Sequence, residues 1–414
     1  MPTDDWNGKF QAVGNGGWAG VISYPAMASA VREGYATAST DTGHKGGDAT
    51  FAPGHSEKIV DFSYRAVHSM TVTAKALIKA YYGRSPVLSY WNGCSTGGRQ
   101  GLMSAQRYPE DFDAIIAGAP ANYENHLHAF DMELGTNIRK KPESFLPAAK
   151  LSLVNKAVTA ACDALDGVKD GLLTDPRKCG FDPSTLLCRS AENENCLTAP
   201  QLEAVRLAYA PAKTKAGNVI YPGYAPGSEA GWNMLTGSTP DPPAVALGTY
   251  RYVLHQDPSW DWHKFDLDRD IAAVDKEFGH LNAIAPDLKA FKARGGKLLM
   301  YHGWNDTAIS PFNSINYYSS VLAKMGAGQQ DWLRLFMVPG MGHCRGGPGP
   351  NQFNALAALE RWRESGTAPD QILATHVTNN SVDMTRPLCP YPKVARWQGV
   401  GSTNDAADFA CVAP

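Results

Sequence analysis

Residues 86–107 read PVLSYWNGCSTGGRQGLMSAQR. Pro86 to Trp91 is a short apolar run of strand length, and Gly97 to Arg107 reads as a helix. Between them, Gly93-Cys94-Ser95-Thr96-Gly97 matches G-x-S-x-G. A sharp turn from a buried strand into a helix crowds its neighbours and demands small residues at the two glycine positions. That turn lifts the Ser95 hydroxyl clear of the sheet. It also sets Ser95 at a helix N-terminus, where backbone N–H groups can stabilise negative charge on oxygen. The pattern alone arises by chance, and a glycine-rich turn with a satisfied serine is its bland alternative. The flanking strand and helix are the context that a nucleophile elbow needs.

Working outward, the same alternation continues on both sides. Upstream, Gln11 to Gly14 is a short apolar piece ending in GNGGWAG, and Gly34 to Thr40 reads as a strand. Ser56 to Tyr82 carries Ile59, Phe62, Val67, Met70, Ala74 and Ile78 at helical spacing. Downstream, Ala114 to Ala117 is a second buried strand. Lys297 to His302 and Arg334 to Pro339 are two more, with helices expected over Pro311–Met325 and Phe353–Glu364. Strand, helix, strand at this spacing implies a parallel sheet. The middle differs, being rich in Pro, Gly, Asp and aromatics, among them Trp232, Tyr250, Tyr252, Trp260 and Trp262. The expected architecture is an α/β-hydrolase fold, a mostly parallel sheet flanked by helices. Residues 1–121 and 288–414 form its catalytic domain, and residues 122–287 form a large inserted lid domain.

A serine nucleophile on this fold needs an acid and then a base further along the chain. Asp306 follows the strand KLLMYHGW, and His343 follows RLFMVPGMG. The separation of 37 positions leaves room for a helix and a strand. His302 competes for the base, but it lies within the apolar run and is better placed to hold the Asp306 loop. Cys94 precedes Ser95 and Cys344 follows His343. If Ser95 and His343 are within hydrogen-bond reach, their sequence neighbours are close enough to be bridged. The triad therefore predicts a Cys94–Cys344 disulfide.

Composition removes other classes of protein. Lys and Arg number 38 against 40 Asp and Glu among 414 residues, so no basic excess marks a nucleic-acid partner. No apolar run reaches the roughly 18 residues of a membrane-spanning helix. Nothing resembles a P-loop or a dinucleotide fingerprint. The eight cysteines are Cys94, Cys162, Cys179, Cys188, Cys196, Cys344, Cys389 and Cys411. Six fall in three close pairs and none forms C-x-x-C, which points to four disulfides in an oxidising compartment, secreted or periplasmic. MPTDDWNGKF has neither the basic nor the apolar region of a signal peptide, so either a leader has been removed or the compartment inference fails.

The segments GCSTGGRQGLMSAQRYPEDFDAIIAGAPA, YHGWNDTAISP and VPGMGHCRGGPGPNQFN resemble the tannase and feruloyl esterase family, whose relatives include a bacterial mono(2-hydroxyethyl) terephthalate hydrolase. The resemblance runs from about Trp6 to the C-terminus. It implies that Cys94, Ser95, Asp306, His343 and Cys344 form the family's constellation, with the cysteines bridged. Thr96 is the expected first oxyanion donor by its place after the nucleophile. The glycine run Gly14–Gly17 suits the second, and the resemblance narrows it to Gly16 or Gly17. Ile309 is expected at the pocket by the same analogy.

Residues 162–172, CDALDGVKDGL, place three carboxylates at intervals of three and four. The spacing is not an EF-hand, and by itself reads as a solvated acidic turn. The resemblance implies a structural Ca²⁺ held by the side chains of Asp163, Asp166 and Asp170 and the carbonyls of Val168 and Leu172. Cys162 and Cys179 would staple that loop. The implied activity is a secreted serine esterase acting on aromatic esters through an acyl-enzyme. Hydroxycinnamate esters of plant cell wall sugars are favoured over gallate esters or a terephthalate half-ester. The rivals are another acyl hydrolase on the same fold and a catalytically silent binding protein. The insert aromatics either stack on a planar acyl group or form the insert's own core.

Overall fold

The computed structural model describes residues 1–414. Its centre is a six-stranded sheet of β1 (Lys9–Val13), β2 (Ala36–Ala38), β3 (Leu88–Cys94), β4 (Ala114–Gly118), β5 (Lys297–Gly303) and β6 (Leu333–Val338). The spatial order is β2-β1-β3-β4-β5-β6. Every neighbouring pair is parallel. Parallel strands are covered on both faces, which explains their unbroken apolar runs. Ile115 and Leu298 pack into one buried cluster, and Ile116 and Leu299 into another on the opposite face.

The flanking helices are α1 (Tyr24–Arg32), α2 (Ala66–Tyr82), α3 (Thr96–Arg107), α5 (Pro311–Met325) and α6 (Ala355–Ser365), while α4 (Glu124–Arg139) packs into the separate cluster of residues 122–287. The strands and helices expected from the sequence are present, with ends moved by at most three residues. Two features depart from expectation. The helix expected over residues 56–82 is interrupted by a wide π-type turn at Asp61–Arg65. Such a turn spoils the regular carbonyl pairing, and the buried Arg99 of α3 donates to the Phe62 and Ser63 carbonyls there. Helix α1 is nine residues long and only Ala30 is buried, so too little of it repeats for periodicity to reveal it.

Residues 122–287 contribute most of a separate 42-residue buried cluster. That cluster also takes in Trp18, Phe51, Ile59 and Phe62 from the first hundred residues. A hairpin, Ile372–Thr378 with Ser381–Leu388, and an antiparallel pair, Val394–Trp397 with Phe409–Val412, follow the last helix outside the main sheet. Four disulfides form: Cys94–Cys344, Cys162–Cys179, Cys188–Cys196 and Cys389–Cys411.

Candidate active site

The site lies beyond the carboxyl ends of the strands, where open α/β sheets place their ligands. Strand β3 runs into Ser95, whose backbone has φ 65° and ψ −126°. Few non-glycine residues adopt such a conformation. It is held by the Ser95 N–H donating to the Gly118 carbonyl at 3.0 Å and by the Ala121 N–H donating to the Ser95 carbonyl at 3.2 Å. Gly93 is required on steric grounds, because a Cβ there would stand 2.4 Å from the Gly97 carbonyl oxygen. This is the elbow that the sequence pattern predicts.

The Ser95 hydroxyl is 2.9 Å from His343 Nε2. His343 Nδ1 is 2.8 Å from Asp306 Oδ2. Because a carboxylate only accepts, Nδ1 carries the proton and Nε2 is left to accept from Ser95. The second Asp306 oxygen accepts from the N–H groups of Ala308 (2.8 Å) and Ile309 (2.9 Å). His302, fully buried, donates its Nε2 proton to Asp306 Oδ2 and the Ile309 carbonyl, both at 3.0 Å. Its Nδ1 lies 2.7 Å from the Ser314 hydroxyl. His302 thus orients the acid and does not face Ser95. Burial alone would push the Asp306 carboxyl up, but its bonds to His302 and His343 hold it well below the usual carboxylate range.

The glycine-rich loop after β1 is pinned to the elbow helix. Gln100 bonds the Asn15 amide in both directions, Nε2 donating to Asn15 Oδ1 at 3.0 Å and Oε1 accepting the Asn15 N–H at 3.1 Å. The Gly97 N–H donates to the Asn15 carbonyl at 2.9 Å, and the Thr96 hydroxyl to the Gly17 carbonyl at 2.9 Å. Gly17, Ser95 and Thr96 line one cavity, whereas Gly16 does not. The N–H groups of Gly17 and Thr96 donate to no group of the chain.

That cavity measures about 540 Å³. The sheet side supplies Ser95, His343 and Ile309, and the insert side supplies Asp131, Tyr224 and Trp232. Of the five insert aromatics singled out in the sequence, only Trp232 faces it. Tyr250, Trp260 and Trp262 belong to the insert's buried core. Sequence reasoning missed Asp131 and Tyr224. Asp131 lies on α4, inside the insert, where the sequence assigns no elements. A lone carboxylate between Phe130 and Met132 was the available signal.

Arg99 and Glu124 form a buried ion pair at 2.5 Å that joins the elbow helix to α4. Burial pushes the Glu124 carboxyl up, against the pull of Arg99.

The acidic loop holds itself together. Asp163 Oδ1 accepts from the Gly171 N–H at 2.9 Å, and Asp166 Oδ1 from the Val168 N–H at 3.0 Å. Asp170 accepts from the Leu172 N–H at 3.1 Å and pairs with Arg386 of the hairpin at 2.6 Å. No three His, Cys, Asp or Glu side chains converge anywhere in the chain as ligands of one ion. The donor chemistry of the loop, all hard oxygens, fits Ca²⁺.

The topology, the elbow at the end of β3 and the acid and histidine after β5 and β6 define an α/β-hydrolase. Comparison with known proteins narrows this. The sequence model of the tannase and feruloyl esterase family matches residues 1–412. An uncharacterized esterase of Xanthomonas campestris pv. campestris is 38% identical, over 100% of this chain and 81% of its own length. A probable feruloyl esterase B-2 of Aspergillus terreus is 34% identical, over 99% of this chain and 81% of its own. Feruloyl esterase B from Aspergillus oryzae superposes with a TM-score of 0.93 at 33% identity, covering 99% of this chain and 85% of that one. Tannin acyl hydrolase from Aspergillus niger superposes with a TM-score of 0.84 at 26% identity, covering 99% and 81%. The chain belongs to the tannase and feruloyl esterase family and is a carboxylic ester hydrolase.

Proposed function

We propose that this protein is a secreted serine esterase that cleaves phenolic acid esters through an acyl-enzyme, most closely a feruloyl esterase. The observation that carries the reading is the unbroken chain from the Ser95 hydroxyl through His343 to Asp306, at 2.9 and 2.8 Å. His343 Nε2 takes the Ser95 proton as the oxygen attacks the ester carbonyl carbon. The N–H groups of Gly17 and Thr96 receive the resulting oxyanion. The intermediate then collapses, the C–O bond to the alcohol breaks, and Nε2 returns the proton to the leaving oxygen. Water, deprotonated by the same nitrogen, attacks the acyl-enzyme and releases the aromatic acid with Ser95 restored. Asp306 orients His343 and stabilises its charged form without taking its proton.

A feruloyl esterase and a tannin acyl hydrolase among the neighbours support an aromatic acyl group. The four disulfides support an extracellular or periplasmic site of action. The ester's other half is a plant cell wall sugar in this reading. The insert serves as a lid over Ser95. Its acidic loop would hold Ca²⁺ through Asp163, Asp166 and Asp170 with the Val168 and Leu172 carbonyls. Hydrolysis of methyl ferulate, methyl gallate and mono(2-hydroxyethyl) terephthalate tests the reading, with Ser95→Ala alongside. Turnover of methyl ferulate that vanishes in the variant is the expected result. No turnover of any of the three by folded, oxidised protein would refute it.

A further inference from the structure

Asp131 is the one acidic side chain of the cavity with no partner. Its residue is 9% exposed, that exposure opens into the cavity beside Ser95, and no cation or donor of the chain meets it. Such a group is costly to bury in charged form. Burial alone pushes its carboxyl up to about 8, so at neutral pH it carries a proton and can donate. Tyr224 lines the same cavity and is likewise without a hydrogen bond. Burial raises the Tyr224 and Tyr221 phenols well above the ordinary tyrosine value, and the nearby acids Asp131 and Asp306 act in the same direction.

The other titratable groups around Asp131 are accounted for. Glu124 pairs with Arg99, and His128 is held neutral by burial and bonds the Thr249 hydroxyl at 2.6 Å. The buried Tyr250 phenol donates to the Asn125 carbonyl at 3.3 Å. Arg139 lies eight residues along α4, about 12 Å away at 1.5 Å per residue. It bonds Gly135 and Thr239 instead. Asp131 and the Tyr224 hydroxyl both line the cavity and make no hydrogen bond within the chain, so both are free to meet an oxygen of the ligand.

We propose that Asp131, with the Tyr224 hydroxyl, hydrogen-bonds a ring hydroxyl of the acyl group and makes the enzyme select hydroxylated aromatic acyl esters over unsubstituted ones. This rests on the esterase reading of Ser95. Asp131 touches the ring and not the reacting carbonyl, so it determines specificity rather than catalysis.

The experiment compares kcat/KM for methyl 4-hydroxycinnamate and methyl cinnamate, which differ by that hydroxyl alone. The native enzyme is expected to prefer the hydroxylated ester by on the order of 10-fold or more. Asp131→Leu is expected to bring the ratio close to one. Because Asp131→Leu can fail to fold, Asp131→Asn provides a second measurement. The native preference should rise as pH passes through about 8, where Asp131 ionises and accepts a charge-assisted hydrogen bond from the ring hydroxyl that the unsubstituted ester cannot offer. That of Asp131→Asn should change only with the ionisation of the substrate phenol. Equal turnover of the two esters by the native enzyme, equal loss on both in Asp131→Leu, or matching pH profiles for the native and Asn forms would overturn the inference. Turnover of neither ester by the native enzyme would instead sink the esterase reading beneath it.

Discussion

Cys94 and Cys344 lie 250 residues apart in sequence, yet their Cα atoms are 6.0 Å apart and their sulfurs are bonded. Each adjoins one half of the Ser95–His343 pair. The bridge therefore ties the elbow at the end of β3 covalently to the histidine loop after β6, two segments that also meet through the Ser95–His343 hydrogen bond. Ser95 and Cys344 both have left-handed backbone, with φ of 65° and 63°. Such conformations persist only where the surroundings over-determine them.

The first prediction concerns that bridge. The double variant Cys94→Ala/Cys344→Ala should lose about 2–5 kcal/mol of stability, the usual cost of removing a native disulfide. It should also lose kcat even at temperatures where it is fully folded, since Ser95 and His343 are no longer tethered. Urea denaturation and steady-state kinetics measure the two effects. Unchanged kcat in the folded variant would show that the sheet alone sets the Ser95–His343 distance.

Asp306→Asn should lower kcat by on the order of 10⁴, because the wrong histidine tautomer is then favoured. His302→Leu removes one donor to a charged carboxylate. It should cost about tenfold to a hundredfold in kcat, consistent with about 1.5–3 kcal/mol for such a bond. An effect of His302→Leu as large as that of His343→Ala would mean that His302 acts on the substrate directly.

Stability should respond to Asp131 in a definite direction. Its pKa rises from the ordinary 3.8 to about 8 on folding. Between those values the native state keeps a proton that the unfolded chain has lost, so stability falls as pH rises through this window and levels off above it. Asp131→Asn removes that slope. Its melting temperature relative to the native protein should rise from pH 5 to pH 8. A constant difference over that range would show that Asp131 is ionised throughout.

Under the calcium reading, chelation should lower the melting temperature and calcium should restore it, with kcat at low temperature little changed. Asp166→Asn should abolish the response to added calcium. A protein with no bound calcium by elemental analysis and no thermal response would leave the loop as a self-bonded turn braced by the Arg386–Asp170 pair.

The parallel sheet was legible because both its faces are buried. Ile115, Ile116, Leu298 and Leu299 leave an apolar run that needs no alignment to read. The elbow, the acid and the histidine were legible because each sits in the loop after such a run, in a fixed order. Asp131 and Tyr224 were not legible. They lie in the insert, where periodicity is weak, and their role depends on a cavity wall assembled from segments about 90 residues apart. Helix α1 was missed because it is only nine residues long and buries a single residue, Ala30, so its period repeats too few times to stand out.

The most direct test is labelling with a fluorophosphonate followed by peptide mapping. The triad predicts a single covalent adduct on Ser95, loss of ester hydrolysis in step with labelling, and no adduct in Ser95→Ala. Labelling on another residue, or ester hydrolysis that survives in Ser95→Ala, would contradict the assignment of Ser95 as the nucleophile.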